Sequence, residues 1–164
     1  MTTEALIRRL HSADEARACA RIMTESEPWI TLRRGFEENL KLVTDPAREA
    51  YVAVADSSVL GFVLLHLHGP LTGYLQAIAV SAGSRRAGLG RRLIEFAEKR
   101  VWEVSPNFFL CVSSFNADAQ KLYASLGYER VGELKDYVVK GHSEILMRKT
   151  LGPLSGFRPR ATTD

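Results

Sequence analysis

Arg85, Arg86, Arg91 and Arg92 crowd around Gly88 and Gly90 in the stretch I-A-V-S-A-G-S-R-R-A-G-L-G-R-R, Ile78 to Arg92. Residues of these types at this spacing suit an anion. The glycines leave main-chain N–H groups open to close approach, so an oxyanion seated there can take several donors at once. If a helix begins here, its N-terminus adds about half a positive charge to the arginine field. A plain strand-to-helix turn with solvated arginines fits the same residues, because a lone Gly-x-Gly is a weak signal. A second constellation follows: Asn116, Tyr123 seven residues on, then Leu126-Gly127-Tyr128. Asn116 suits a helix N-cap and Gly127 a left-handed helix end. Tyr123 shares one helical stripe with Ala119, Leu122 and Leu126, as a core tyrosine would.

Both sets need particular elements to hold them. Ile78 to Val80 reads as the end of an apolar strand, and Leu89, Leu93, Phe96, Ala97 and Val101 recur at near-helical spacing. The glycine turn therefore joins a strand to an amphipathic helix. Asn107 to Ser113 reads as a buried strand leading into the helix of Tyr123. Upstream, residues 4–10 read as a strand and 13–25 and 31–43 as helices, divided by Ser26-Glu27-Pro28-Trp29 because proline is unfavourable inside a helix. Ala50–Ala55, Val59–Leu67 and Tyr74–Val80 read as strands, linked by Asp56-Ser57-Ser58 and by Gly69-Pro70 with Gly73. Tyr128–Leu134 and Ser143–Thr150 complete the set. Physical rules give an α+β domain with a mixed sheet.

Two common nucleotide seats do not fit. No Gly-Lys-Ser or Gly-Lys-Thr follows the turn, so the lysine and hydroxyl of a triphosphate loop are missing. The dinucleotide fingerprint wants a third glycine where Leu93 stands, early in a strand-helix-strand unit. The pattern Arg85-x-x-Gly88-x-Gly90 after I-A-V instead resembles the pyrophosphate-binding motif of the GNAT superfamily of N-acetyltransferases. Asn116, Tyr123 and Leu126-Gly127-Tyr128 resemble that family's next motif, and the likeness covers about residues 4–150.

The resemblance implies a GNAT-like, mixed and mostly antiparallel seven-stranded sheet flanked by four helices. It implies acetyl-coenzyme A as cosubstrate. The acyl arm would lie along the backbone of Ile78, Ala79 and Val80, between splayed fourth and fifth strands. The pyrophosphate would sit on the amides of Arg86, Ala87, Gly88, Leu89, Gly90 and Arg91, with Arg85 beside them and Asn116 supporting the arm. A Val80 N–H would serve as oxyanion donor, a type of contact worth about 3 kcal/mol where a donor has been removed. Tyr123 would act as general acid, its phenol protonating the departing thiolate.

The likeness is to the ribosomal-protein-alanine acetyltransferase branch, with one departure. That branch carries a glutamate base five residues before the Asn, where this chain has Cys111. Glu25, Glu27, His66, His68, Tyr74 or a water chain are the candidates to replace it. Strand alternation would put His66 and His68 on one side with Leu64. Glu25, Glu27, Trp29 and Tyr74 are the candidate acceptor-binding residues, the acids attracting a cation and Trp29 forming a wall. The acceptor is an amine, on a small molecule or a protein. A non-catalytic acyl-coenzyme A sensor is the alternative, but retention of Tyr123 favours the enzyme.

The composition is compatible with this. At 164 residues, 46% hydrophobic and 25% charged, the chain is long enough for one good core. Its net charge of +3 is exceeded by the four arginines at the turn, so a local polyanion explains it without nucleic acid. No apolar run approaches the roughly 20 residues of a membrane span. The N-terminus lacks a secretory h-region and the two cysteines fit a reducing compartment, so a cytoplasmic protein without a bound metal is expected. Residues 1–150 form the expected domain. The tail 151–164, with two glycines and two prolines, has no means of forming a regular element. Leu154 and Phe157 are its docking side chains, and a homodimer formed through this tail is expected.

Overall fold

The computed structural model describes residues 4–160. Where the chain must reverse within two residues it uses positive φ. Asp56 (φ 47°) and Ser57 (φ 63°) join β2 (Glu49–Ala55) to β3 (Ser58–His66), matching the twist of the two strands. β1 (Leu6–Arg9) pairs outside β2, and β4 (Tyr74–Val80) pairs with β3, all antiparallel. β5 (Asn107–Ser113), β6 (Glu129–Lys135) and β7 (Ser143–Thr150) complete a seven-stranded sheet of order β1-β2-β3-β4-β5-β7-β6. Only the β4–β5 pair is parallel among the described residues. The mixed, mostly antiparallel seven-stranded sheet that the family resemblance implies is present.

Four helices cover it. α1 (Ala13–Thr24) is capped by Ser12, whose Oγ accepts the Glu15 N–H at 3.1 Å, and buries Ala16, Cys19, Ala20 and Met23. With α2 (Phe36–Thr44) it closes one face over Phe62, Leu64, Ala77 and Ala79. α3 (Leu89–Val101) and α4 (Ala117–Ser125) close the other, where Leu93, Ile94, Ala97 and Tyr123 meet Val63, Leu65, Phe108 and Leu110. Burying a leucine-sized side chain contributes about 1.5–3 kcal/mol, so these two apolar layers hold the sheet between them.

Element ends shift by a residue or two at several places, and larger departures come at α2 and around the end of β3. The second helix begins at Phe36 rather than residue 31, because Arg33 takes a left-handed φ of 55° that ends the preceding turns. The chain restarts at Gly35, whose N–H is accepted by Glu38 Oε2 at 3.1 Å. β3 stops at His66, so His68 lies past the strand and its pairing with His66 on one strand face is lost. Between Leu64–Ala77 and Leu65–Leu75 the register shifts, leaving Gln76 as an extra residue on β4.

The tail through residue 160 forms neither helix nor strand and lies against its own domain. Leu151 N–H bonds Pro106 O at 2.8 Å, and Arg160 N–H bonds Glu103 O at 2.9 Å. Phe157 is half-buried and Leu154 exposed, so only one of the two expected docking side chains is covered. Residues 161–164 of the tail lie outside the described residues. No helix among the described residues is long and apolar enough to cross a membrane.

Candidate active site

The parallel pair β4–β5 holds together only at Tyr74–Phe109 and Leu75–Leu110. Beyond those residues the strands part, and β4 from Gln76 to Val80 has no ladder partner on its β5 side. A cleft of roughly 950 Å³ opens there, within the usual range for small-molecule sites. It is reached from both faces of the sheet. Ile78, Ala79 and Val80 line it from β4, Gly90 and Ile94 from α3, and Asn116, Ala119, Leu122 and Tyr123 from α4.

One end of the cleft meets the start of α3. Gly88 precedes the helix at φ 77°, a left-handed conformation that side-chain-bearing residues rarely adopt, and Arg86 is left-handed as well at φ 62°. A side-chain carbon at Gly88 would meet no atom within 4 Å, and one at Gly90 would touch only Val80 Cγ2 at 3.9 Å. Nothing crowds the chain at either glycine, as close approach of an anion requires. The four arginines are not equivalent. Arg85 donates from Nε to Val80 O at 3.1 Å and from Nη2 to Ser26 Oγ at 2.8 Å, joining the end of β4 to the segment after α1. Arg92 reaches Ala5 O at 2.8 Å and Glu4 at 3.2 Å, anchoring the N-terminal segment. Arg91 lies 4.0 Å from Glu95. Arg86 and Ala87 are exposed, while the Leu89 side chain is core, leaving only its backbone for a ligand.

Asn116 caps α4, its Oδ1 accepting the Ala119 N–H at 3.3 Å, and its side chain borders the cleft. Tyr123 is buried, its ring set edge-on to Tyr128 with centroids 5.7 Å apart. Its hydroxyl has no hydrogen-bond partner among the described residues, yet the residue lines the cleft. Burial pushes the phenol above its ordinary pKa, so it keeps its proton at neutral pH. Core packing and a place in the cleft are both true of Tyr123.

On the opposite face the cleft is bounded by Glu27, Trp29, His66 and Tyr74. Trp29 is also part of the core under α1 and α2. Both Glu27 oxygens are held by Thr31, at 3.2 Å from its N–H and 3.0 Å from its hydroxyl. Glu25, at the C-terminus of α1, is exposed and does not border the cleft, which separates it from the other acceptor-side candidates. Cys111 and Tyr74 face each other, and burial pushes both the thiol and the phenol up.

One group on this face has no counterpart among the residues picked out from the sequence. Glu144 of β7 is 6% exposed and borders the cleft. It stands directly opposite Ser113 of β5, whose hydroxyl donates to Glu144 Oε1 at 2.7 Å. Burial raises its pKa, against the pull of Ser113, Arg34 and His142. The sequence signal was faint: a single glutamate in an apolar strand, 31 residues from its hydrogen-bond partner.

Comparison with known proteins bears on the family and the fold. The model of the acetyltransferase (GNAT) family matches residues 14–128. An N-alpha-acetyltransferase of Sulfurisphaera tokodaii is 28% identical over 114 residues, 62% of this chain and 68% of that protein. An N-acetylaspartate synthetase of Danio rerio is 35% identical over 96 residues, 56% of this chain but only 33% of its own length. Among solved structures, an aminoglycoside 6'-N-acetyltransferase complexed with coenzyme A superposes with a TM-score of 0.73 at 21% identity, over 94% of this chain and 99% of that one. Ribosomal-protein-alanine N-acetyltransferases share the fold as well.

Proposed function

The chain belongs to the GNAT family of acetyltransferases, and from that premise we propose that it moves the acetyl group of acetyl-coenzyme A to a primary amine by direct attack. One observation carries the assignment of the site: an unpaired stretch of β4 leads from the glycine-fronted end of α3 to Tyr123, whose hydroxyl has no hydrogen-bond partner among the described residues. The backbone of Ile78, Ala79 and Val80 binds the acyl arm in the gap. The amides from Arg86 to Arg91 bind the pyrophosphate, with Arg86 the cation left for it and Arg85 setting the turn. Asn116 supports the arm from the start of α4, where its cap bond holds it. Tyr123 donates its proton to the departing sulfur, a role that requires the protonated phenol its burial maintains. Glu27, Trp29 and Tyr74 form the acceptor side.

Relatives named for N-alpha-acetylation, ribosomal-protein alanine, an aminoglycoside and N-acetylaspartate support an acceptor in the class of primary amines. A cleft open on the face opposite α3 and α4 accommodates such an amine without displacing the cofactor. The test is calorimetric titration with acetyl-coenzyme A, followed by free-thiol release over peptides with free α-amines, lysine derivatives and aminoglycosides. Binding with amine-dependent thiol release is expected. Binding without release over the whole panel would support the non-catalytic sensor, and absence of binding would remove both.

A further inference from the structure

We propose that Glu144 is the general base of this site, taking the proton from the acceptor amine on the sheet face opposite Tyr123. The assignment rests on the acetyl-transfer reading above and adds the residue that reading lacks. Side chains alternate across a strand, and on β5 Leu110 and Val112 face α3 and α4 while Cys111 and Ser113 face the other way. Glu144, registered directly against Ser113, therefore shares the second face. Tyr123 reaches the same cleft from α4, on the first face. A thioester in the β4–β5 gap would have a proton donor on one side and a carboxylate on the other.

The alternatives on the acceptor side are weaker. Glu25 does not border the cleft, and both oxygens of Glu27 are occupied by Thr31. Cys111 is a thiol pushed up by burial, hence protonated near neutrality. His66 stands opposite Tyr74, where β4 and β5 are still paired. Ser113 lies three residues past the last paired residue of β5, Leu110, where the strands have parted. Ser113 fixes one Glu144 oxygen, and Oε2 has no hydrogen-bond partner among the described residues. The groups acting on this carboxylate are Ser113 of β5, Arg34 before α2 and His142 before β7, with Tyr74 and Cys111 nearby on β4 and β5. Burial outweighs the lowering pull of Ser113, Arg34 and His142 and leaves Glu144 a stronger base than an ordinary glutamate.

The proton balance closes. As the amine nitrogen bonds to the carbonyl carbon and the carbon–sulfur bond breaks, an N–H proton passes to Glu144. The Tyr123 proton passes to sulfur. Solvent then takes the proton from Glu144 and restores that of Tyr123, so amine and thioester yield amide and thiol with no further reactant.

The probes are an alanine-initiated peptide and, without it, water as the acceptor of the acetyl group, both read as thiol release by the full chain. Glu144→Gln should lower kcat/KM about 10²-fold, at the lower end for general acid–base catalysis, with acetyl-coenzyme A affinity unchanged by calorimetry. Ser113→Ala should retain activity but move the acidic limb of the pH profile upward, because it removes a donor to the carboxylate form. That second variant decides the matter if the first does not fold. Wild-type rates and pH profiles in both variants, with normal cofactor binding, would overturn the base alone. Failure of the unmutated chain to bind acetyl-coenzyme A would instead overturn the reading beneath it.

Discussion

In the proposed reaction Tyr123 has to satisfy a core and a proton transfer with the same ring. Its edge contact with Tyr128 and its place beside Leu93 and Ala119 would suit phenylalanine equally, so only the hydroxyl is left to chemistry. That hydroxyl has no hydrogen-bond partner among the described residues and borders the cleft, where a thioester sulfur would come within its reach in the proposed reaction. Tyr123→Phe should therefore fold at least as well as the parent and bind acetyl-coenzyme A with little change. Its kcat should fall about 10²-fold in the thiol-release assay. Undiminished turnover would reduce Tyr123 to packing. The arginines show the opposite division: among the described residues, a charge cluster read from the sequence as one field is partitioned into two tethers, a weak pair and one cation, Arg86, without a tether. Sequence order cannot reveal that partition, because Ser26 and Ala5, the partners of Arg85 and Arg92, lie 59 and 87 residues away.

At the scale of elements, the start of α3 is where geometry and binding can be separated experimentally. A valine at Gly88 would carry backbone strain at φ 77° whatever it did to a ligand, so lost affinity there would be ambiguous. Gly90 is already helical and has room for a methyl group. Gly90→Ala should stabilise the free protein by up to about 1 kcal/mol through helix propensity. If the proposed phosphate seat is correct, the same methyl should crowd it and weaken acetyl-coenzyme A binding at least about tenfold, or about 1.4 kcal/mol. A higher melting temperature with unchanged affinity would move the pyrophosphate elsewhere. Most elements were legible because their signals are local: period-two strands, helical apolar spacing, the Asn116 cap, and glycines at turns. The late start of α2 was not, since it depends on the left-handed Arg33 and on buried Trp29 and Leu32 holding the preceding turns. The splay of β4 from β5 came only through family likeness, because no local pattern encodes where two distant strands stop pairing.

Across the whole molecule, carboxylates of opposite character should write opposite pH dependences into stability. Arg8 bonds Glu15 Oε1 at 2.6 Å, tying β1 to α1, and with the His11 N–H it lowers the Glu15 pKa to about 2. A depressed pKa gives stability that is present above the ordinary glutamate value and lost as pH falls toward 2. Glu49 behaves alike: burial works against its charge, but Arg100, bonded through two nitrogens at 2.8 Å each, and the Tyr51 hydroxyl leave its pKa lowered. Glu144 has the other sign. Its pKa is raised, so its charged form is a burden above the folded pKa, and that burden vanishes as pH falls below the ordinary glutamate value. Glu144→Gln keeps the shape and can still accept from Ser113, so it should melt higher than the parent at pH 7 and lose that advantage by about pH 4. Glu15→Gln should melt lower at pH 7 and converge with the parent only toward pH 2. For a chain of this size, about 1 kcal/mol shifts Tm by about 2–4 °C, which thermal scans across that range resolve. A Glu144→Gln variant that is inactive yet more stable at neutral pH would identify a charge kept for chemistry at the expense of the fold; one that melts no higher than the parent would show that Glu144 holds β5 to β7.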